Sequence, residues 1–388
     1  MIRLTIPSIE TDDLQAVQET LESGYLVQGD RVAAFEAKVA EYTGTQYAVA
    51  VSNGTAALHL ALLASGVGPG DIVLVTAYSW VATANVIELC GAQPVFIDIQ
   101  PGSYHMDPHC LETHLERLMA VAGTARRVRT ILPVHTFGQL ADMPAILEIA
   151  GRYQVPVIED AACALGATLH GQPAGGWGIL SGFSFHPRKA ITTGEGGMIT
   201  TNDAELAHRL RALRNHGLDP QSPAADFILP GFNYRMTEFQ AALGLTQMGK
   251  LDRMIAARQQ GAANYDRLLS ETPLQSPRVF QGSRPVYQSY VALLPSGVAD
   301  HRTELIALLK EQGVEVTIGT WHLPLTTYFR TRYGYRPGDF PVTDEVFARA
   351  LTLPLHERLT LAEQEKVVEI LCRLLEGLRI GGRKDSLG

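Results

Sequence analysis

The chain has 388 residues, 46% of them hydrophobic and 19% charged, and carries a formal net charge of -8. That length and balance fit a folded protein of two or three domains with a large core, and exclude a disordered chain. The acidic balance argues against nucleic acid as the main partner, although backbone amides can still recognise a phosphate locally.

The four cysteines, Cys90, Cys110, Cys163 and Cys372, form no CxxC pair and no zinc spacing. They read as free thiols of a reducing compartment. The twelve histidines contain no HExxH run, so no metal site is expected. The segment Met1 to Pro7 lacks the apolar core of a signal peptide, and no apolar run is long enough to span a bilayer. The expected location is the cytoplasm, without a membrane partner.

Taken in chain order, β-rich runs alternate with helical patterns from about Gln46 to Thr201. Strands are expected at Tyr47–Val51, Ile72–Thr76, Pro94–Ile99, Thr130–His135, Pro156–Asp160, Gly182–Phe185 and Met198–Thr201. Between them, Ala56–Ala64, Val81–Cys90, Leu111–Ala120 and Pro144–Tyr153 carry apolar residues at helical spacing. The alternation predicts a mostly parallel α/β sheet, whose ligands bind beyond the carboxyl ends of its strands. One long helical pattern follows from Glu238 to Leu269, of a length that bends or links two domains. Val286–Leu294, Arg302–Gln312, Val314–Ile318 and Leu361–Leu375 then read as strand, helix, strand, helix. The polar tail 381–388 is expected to fray.

Four motifs fall at strand ends. Ser52-Asn53-Gly54-Thr55 turns into a helix, where amides and the Thr55 hydroxyl suit a phosphate, or simply form a turn and cap. Thr76-Ala77-Tyr78-Ser79-Trp80-Val81-Ala82-Thr83 follows the end of the next strand and carries an aromatic, Trp80, at a position more often filled by core. Glu159-Asp160 closes a buried strand, and alternation sends the two carboxylates to opposite sides. The fourth motif runs from Phe183 through Ser184, Phe185, His186, Pro187 and Arg188 to Lys189, then into Thr192-Thr193-Gly194-Glu195-Gly196-Gly197. A lysine on such a loop can enter a closed site, where its free amine attacks a carbonyl to form a Schiff base. The bland reading is an exposed lysine beside a turn. His135 ends a strand on the same rim and reads equally as a substrate contact or as a structural histidine.

Together these runs resemble the cofactor site of the DegT/DnrJ/EryC1/StrS sugar aminotransferases, which use pyridoxal phosphate, and the resemblance covers nearly the whole chain. It implies fold type I of the pyridoxal-phosphate enzymes: a large α/β domain at 1-250 and a smaller C-terminal α+β domain at 251-388. The N-terminal segment is expected to pack on the smaller domain. It implies a homodimer with shared active sites, in which Asn233 of Gly231-Phe232-Asn233-Tyr234 reaches the phosphate held by the other subunit. Lys189 is then the attachment point, Asp160 the partner of the ring nitrogen, and Trp80 the stacking ring. Gly54, Thr55 and Ser184 are the phosphate contacts. Glu195 and His322 are further candidates for substrate, as is His135, although Thr326 stands where the family often has a histidine. Cys163 stands where family members carry His or Gln, so no role is assigned to it.

The implied reaction moves an amino group from an amino acid, glutamate being expected, to a nucleotide-linked ketosugar. The Thr-Thr-Gly-Glu-Gly-Gly form points to C4 of a 4-keto-6-deoxysugar rather than to C3. Rival readings are an aminotransferase of a keto-inositol and a non-catalytic ligand-binding relative. Family members that remove a sugar's 3-hydroxyl carry histidine at the lysine position, and Lys189 argues against them.

Overall fold

The computed structural model describes residues 1–385, with side-chain surroundings through residue 378. Two helices, α1 (Thr11–Ser23) and α2 (Asp30–Thr43), precede the first strand. Then follow β1 (Tyr47–Val51), α3 (Gly54–Ala64), β2 (Ile72–Thr76), β3 (Tyr78–Ser79), α4 (Ala82–Leu89) and β4 (Gln93–Ile97). Next come α5 (Pro108–Ala120), β5 (Val128–Leu132), α6 (Met143–Tyr153) and β6 (Ile158–Asp160). A small hairpin, β7 (Thr168–Leu169) and β8 (Gln172–Pro173), leads into β9 (Leu180–Ser184), β10 (Gly197–Thr201) and α7 (Ala204–Arg214).

Strands β4, β2 and β5 are parallel neighbours, and β6, β9, β10 and β1 form a second run. Bridges from Ile131 to Val157 and from Val134 to Asp160 join β5 to β6, so the order runs on as β4-β2-β5-β6-β9-β10-β1. Within it only β10 runs against the others. Alternation along the strands divides the core. Ala48, Ala50, Leu74 and Ile131 face one side, packed on Phe35 and Val39 of α2, Leu111 of α5 and Ile146 of α6. Val49, Val51, Val73 and Val75 face the other, against Leu58 of α3, Ile87 of α4 and Leu210 of α7. Covered on both faces, these strands are near-continuous apolar runs, as a sheet between two helix layers requires.

The long helix expected from Glu238 to Leu269 is two helices, α8 (Glu238–Met248) and α9 (Leu251–Leu269). The break falls at Gly249 and Lys250. Glycine is a poor helix former, and the Lys250 ammonium is drawn to Asp12 at 2.6 Å and the buried Asp13 at 2.8 Å. Asp13 also accepts from the Thr246 hydroxyl and the Gln247 amide, which locks α1 onto α8.

Beyond α9, β11 (Ser283–Arg284) pairs with β7, and β12 (Tyr290–Leu293) precedes α10 (Arg302–Glu311). The strand expected at Val314–Ile318 is absent; Val314 and Thr317 make isolated bridges to Ile2 and Thr352 instead. β13 (Trp321–His322) pairs with β3. Helices α11 (Thr327–Tyr333) and α12 (Pro341–Arg349), unforeseen in the sequence, lead to β14 (Ala350–Leu353), which pairs with β12. Helix α13 (Leu361–Asp385) extends past the expected Leu375 into the tail, and 386–388 lie outside the described residues. Tyr265, Leu305, Leu351 and Leu371 belong to a separate apolar cluster in this part of the chain. The N-terminal segment crosses to it: Ile2 N donates to Gly313 O, and Leu355 N to Leu4 O.

Candidate active site

The strand ends, the loop between β9 and β10, the N-terminal segment and the last third of the chain enclose one cavity of about 960 Å³. Its construction starts at the turn between β1 and α3. Asn53 caps the helix by accepting from Ala56 N at 2.8 Å, while the Gly54 and Thr55 amides have no acceptor among the described residues. These orphan donors point along the positive end of the helix dipole. A Cβ on Gly54 would lie 2.7 Å from Ser184 Cβ, so only glycine lets the helix start approach the Ser184 hydroxyl at the end of β9. A Cβ on Gly197 would lie 2.3 Å from Asn53 O, so the same turn needs a second glycine across the sheet.

Lys189 sits on the loop from β9 to β10, and the backbone there is pinned. Phe185 N donates to Gly196 O, Thr193 N to Phe185 O, and Lys189 N to His186 O. Gln288 reaches across from the C-terminal part and donates to Arg188 O at 2.9 Å. Lys189 Nζ meets Cys163 Sγ at 3.0 Å. Below it, Asp160 is 3% exposed, yet its carboxylate borders the cavity. Thr83 Oγ1 donates to Asp160 Oδ2 at 2.7 Å and Ala162 N to Oδ1 at 3.1 Å. Burial pushes this carboxyl above its ordinary range, with Thr83, Ala162 and Lys189 opposing. A buried acid of that kind suits a cationic ring nitrogen, which would supply the missing countercharge. Trp80 offers a large flat surface on the cavity wall, 62% exposed. Donors for a phosphate, an acid for a ring nitrogen, a flat aromatic and an amine together fit pyridoxal phosphate.

Strand alternation separates Glu159 from Asp160 as expected. Glu159 is fully buried and accepts from His135 Nε2, the Gly175, Trp177 and Gly178 amides and the Ser181 hydroxyl. Burial alone would raise this carboxyl, but the His135 ring, the Ser181 hydroxyl and the Gly178 amide outweigh it and hold it below its ordinary range. That network corrects the expectation for His135. The ring is fully buried, donates from Nε2 to Glu159 and accepts Ala141 N at Nδ1, so it does not reach the cavity. His322 is likewise corrected. It is 2% exposed, bound to Asp344 at 2.9 Å and packed edge-on against Phe340 and Phe347, and the cavity is lined by the preceding Gly319 and Thr320 instead.

Glu195 is exposed and lines the cavity. Asn233 is exposed and lies outside the lining of its own chain's cavity, although the neighbouring Tyr234 is part of it. Residues that sequence reasoning missed are Thr83, three positions after Trp80, and the far wall of Leu4, Thr5, Thr317, Thr320 and Thr352. Thr83 lay inside a motif already singled out; the wall residues carry no local signal.

Residues 7–372 match the DegT/DnrJ/EryC1/StrS aminotransferase family. GDP-perosamine synthase of Caulobacter vibrioides is 37% identical over 381 residues, covering 96% of this chain and 98% of that protein. UDP-4-amino-4-deoxy-L-arabinose–oxoglutarate aminotransferase of Shewanella sediminis is 34% identical over 386 residues, covering 95% and 97%. Among solved structures, Spr1654 of Streptococcus pneumoniae in its PMP form superposes with a TM-score of 0.92 at 26% identity, covering 98% of this chain and 99% of that one. The same protein is also solved in a PLP form. The chain belongs to the DegT/DnrJ/EryC1/StrS aminotransferase family and is a pyridoxal-phosphate-dependent aminotransferase of fold type I.

Proposed function

We propose that the enzyme transfers an amino group from glutamate to a nucleotide-linked ketosugar, at C4 of a 4-keto-6-deoxysugar. The observation that carries the reading is convergence: Lys189, Asp160, Trp80, Ser184 and the start of α3 border one cavity. Two relatives with nucleoside diphosphate sugars in their names support the acceptor class, and one of those names contains a 4-amino sugar and oxoglutarate. The Thr192-Thr193-Gly194-Glu195-Gly196-Gly197 run supports C4 on the same side.

In this reading Gly54 and Thr55 hold the cofactor's phosphate with helix-start amides, and Ser184 adds its hydroxyl. Trp80 stacks on the ring. Asp160, fixed by Thr83 and Ala162, holds a proton on the ring nitrogen. Pyridoxal phosphate, when bound, supplies an electron sink for the pair left as a substrate C–H bond breaks. Lys189 Nζ is its attachment point and, once released, carries the proton between the carbon atoms that exchange it. The pinned loop holds that amine in place, so little reorganisation is needed at each transfer. Glu195 takes a sugar hydroxyl. The exposed Asn233 serves the phosphate site of a second copy, which makes the working unit a homodimer with shared sites. A division near residue 250, into a cofactor-holding unit and a smaller one, belongs to the same reading.

The test is a panel of acceptors with the loaded enzyme and glutamate. Amination of a nucleotide-linked 4-ketosugar at C4, seen by NMR of the product, is expected. Turnover of a free keto-inositol with none on nucleotide sugars, or amination at C3, would replace the proposal.

A further inference from the structure

The contact between Lys189 Nζ and Cys163 Sγ, at 3.0 Å, has no part in the reaction proposed above. It sets a thiol against the reactive amine, and both side chains line the open cavity. The other cysteines are differently placed. A thiol meets oxidants as its thiolate, and burial pushes the Cys90 thiol up to about 12. Burial, with Asp107 and Asp98 nearby, pushes Cys110 up to about 11, and burial also raises Cys372. None of these three lines the cavity.

We propose that Cys163 is an oxidation site whose sulfenic acid is captured by Lys189, closing a sulfur–nitrogen bond that blocks the active-site amine. The oxidant is a peroxide. In the first step the Cys163 sulfur attacks hydrogen peroxide, the O–O bond breaks, and the thiol becomes a sulfenic acid with release of one water. Sulfur gives up two electrons and peroxide takes them. In the second, the lone pair of Lys189 Nζ attacks that sulfur, the S–O bond breaks, and the hydroxyl leaves as water with a proton from the nitrogen. The linked chain is two hydrogen atoms lighter than the reduced one. Sulfenic acids condense with nitrogen in this way, and an amine already in contact has the advantage of an intramolecular nucleophile. An added dithiol reverses the link: one thiol attacks sulfur and frees the amine, and the second closes the reagent's disulfide and restores Cys163.

Capture needs a free Nζ. On the reading of Lys189 as the attachment point, the resting holoenzyme is protected, and the enzyme that has taken up an amino group from its donor is exposed. The site would then sense oxidant chiefly during turnover.

The experiment treats the full-length holoenzyme with hydrogen peroxide, with and without excess glutamate, followed by proteolysis and mass spectrometry. With glutamate, the peptides containing Cys163 and Lys189 should appear joined, two hydrogens below their summed mass. The visible cofactor band should fail to return on adding 2-oxoglutarate until dithiothreitol is supplied. Cys163→Ser should give no link, and Lys189→Arg should leave a sulfenic acid on Cys163 that dimedone labels. Peroxide-treated, glutamate-loaded enzyme whose Cys163 stays a thiol, or becomes dimedone-reactive without joining Lys189, overturns the proposal. Equal linking in the resting holoenzyme keeps the link but removes Lys189 as the cofactor's attachment point, so the two claims fail separately.

Discussion

Asp160→Asn separates the chemistry of the site from its packing. The carboxylate is 3% exposed and held by the Thr83 hydroxyl at 2.7 Å and the Ala162 amide at 3.1 Å. Asparagine has nearly the same volume, keeps an oxygen for Ala162, and lets the Thr83 hydroxyl turn to accept from the new amide. Only the charge goes. Losing one electrostatic partner in a water-poor site costs about 3–4 kcal/mol of barrier, so kcat should fall by about 10²–10³-fold. Stability without cofactor should move the other way. Burial raises the Asp160 carboxyl above its ordinary value of 3.8, so folding binds a proton there. The contribution is most favourable below that value and is lost as pH rises through the folded one. At neutral pH the cofactor-free Asp160→Asn chain should therefore melt at or above the parent's temperature. Steady-state rates and melting curves on the same preparations check both. A variant with near-parent kcat, or one that melts several degrees lower without cofactor, would refute this account of Asp160.

Glu159→Ala strips an acceptor from five buried donors and should cost at least about 3 kcal/mol, read as a large drop in melting temperature or in folded yield. Because the Glu159 carboxyl is held below its ordinary 4.5, its contribution is present above that pH and lost as pH falls through the folded value, which an acid-unfolding curve should show flattened in Glu159→Gln. Mixing inactive Lys189→Ala chains with inactive Asn233→Ala chains should restore activity, since one site of each mixed dimer keeps both residues; no recovery in verified mixed dimers would return Asn233 to its own subunit. His135→Asn and His322→Gln should lower stability and leave the KM for both substrates within about twofold, because neither ring reaches the cavity; a tenfold rise in KM would restore them as substrate contacts.

The strand-end motifs were legible because they are local. Asn53 to Thr55, Trp80, Asp160 and the lysine loop each carry their signal within a few residues, and alternation alone separated Glu159 from Asp160. His135 and His322 misled because a histidine at a strand end looks the same whether it faces ligand or core. What decides is a partner distant in sequence, Glu159 in one case and Asp344 in the other. The break between α8 and α9 was hidden similarly. The helical pattern runs through Gly249, and the pull on Lys250 comes from Asp12 and Asp13, more than two hundred residues away. The threonine wall and the Leu4–Thr5 segment gather only after folding.

The most direct test of the central claim is to reduce the loaded enzyme with borohydride and map the modified residue. The account predicts loss of the visible cofactor band, with the pyridoxyl label on the peptide carrying Lys189 and no label in Lys189→Ala. A label on another lysine, or no covalent label at all, would contradict it.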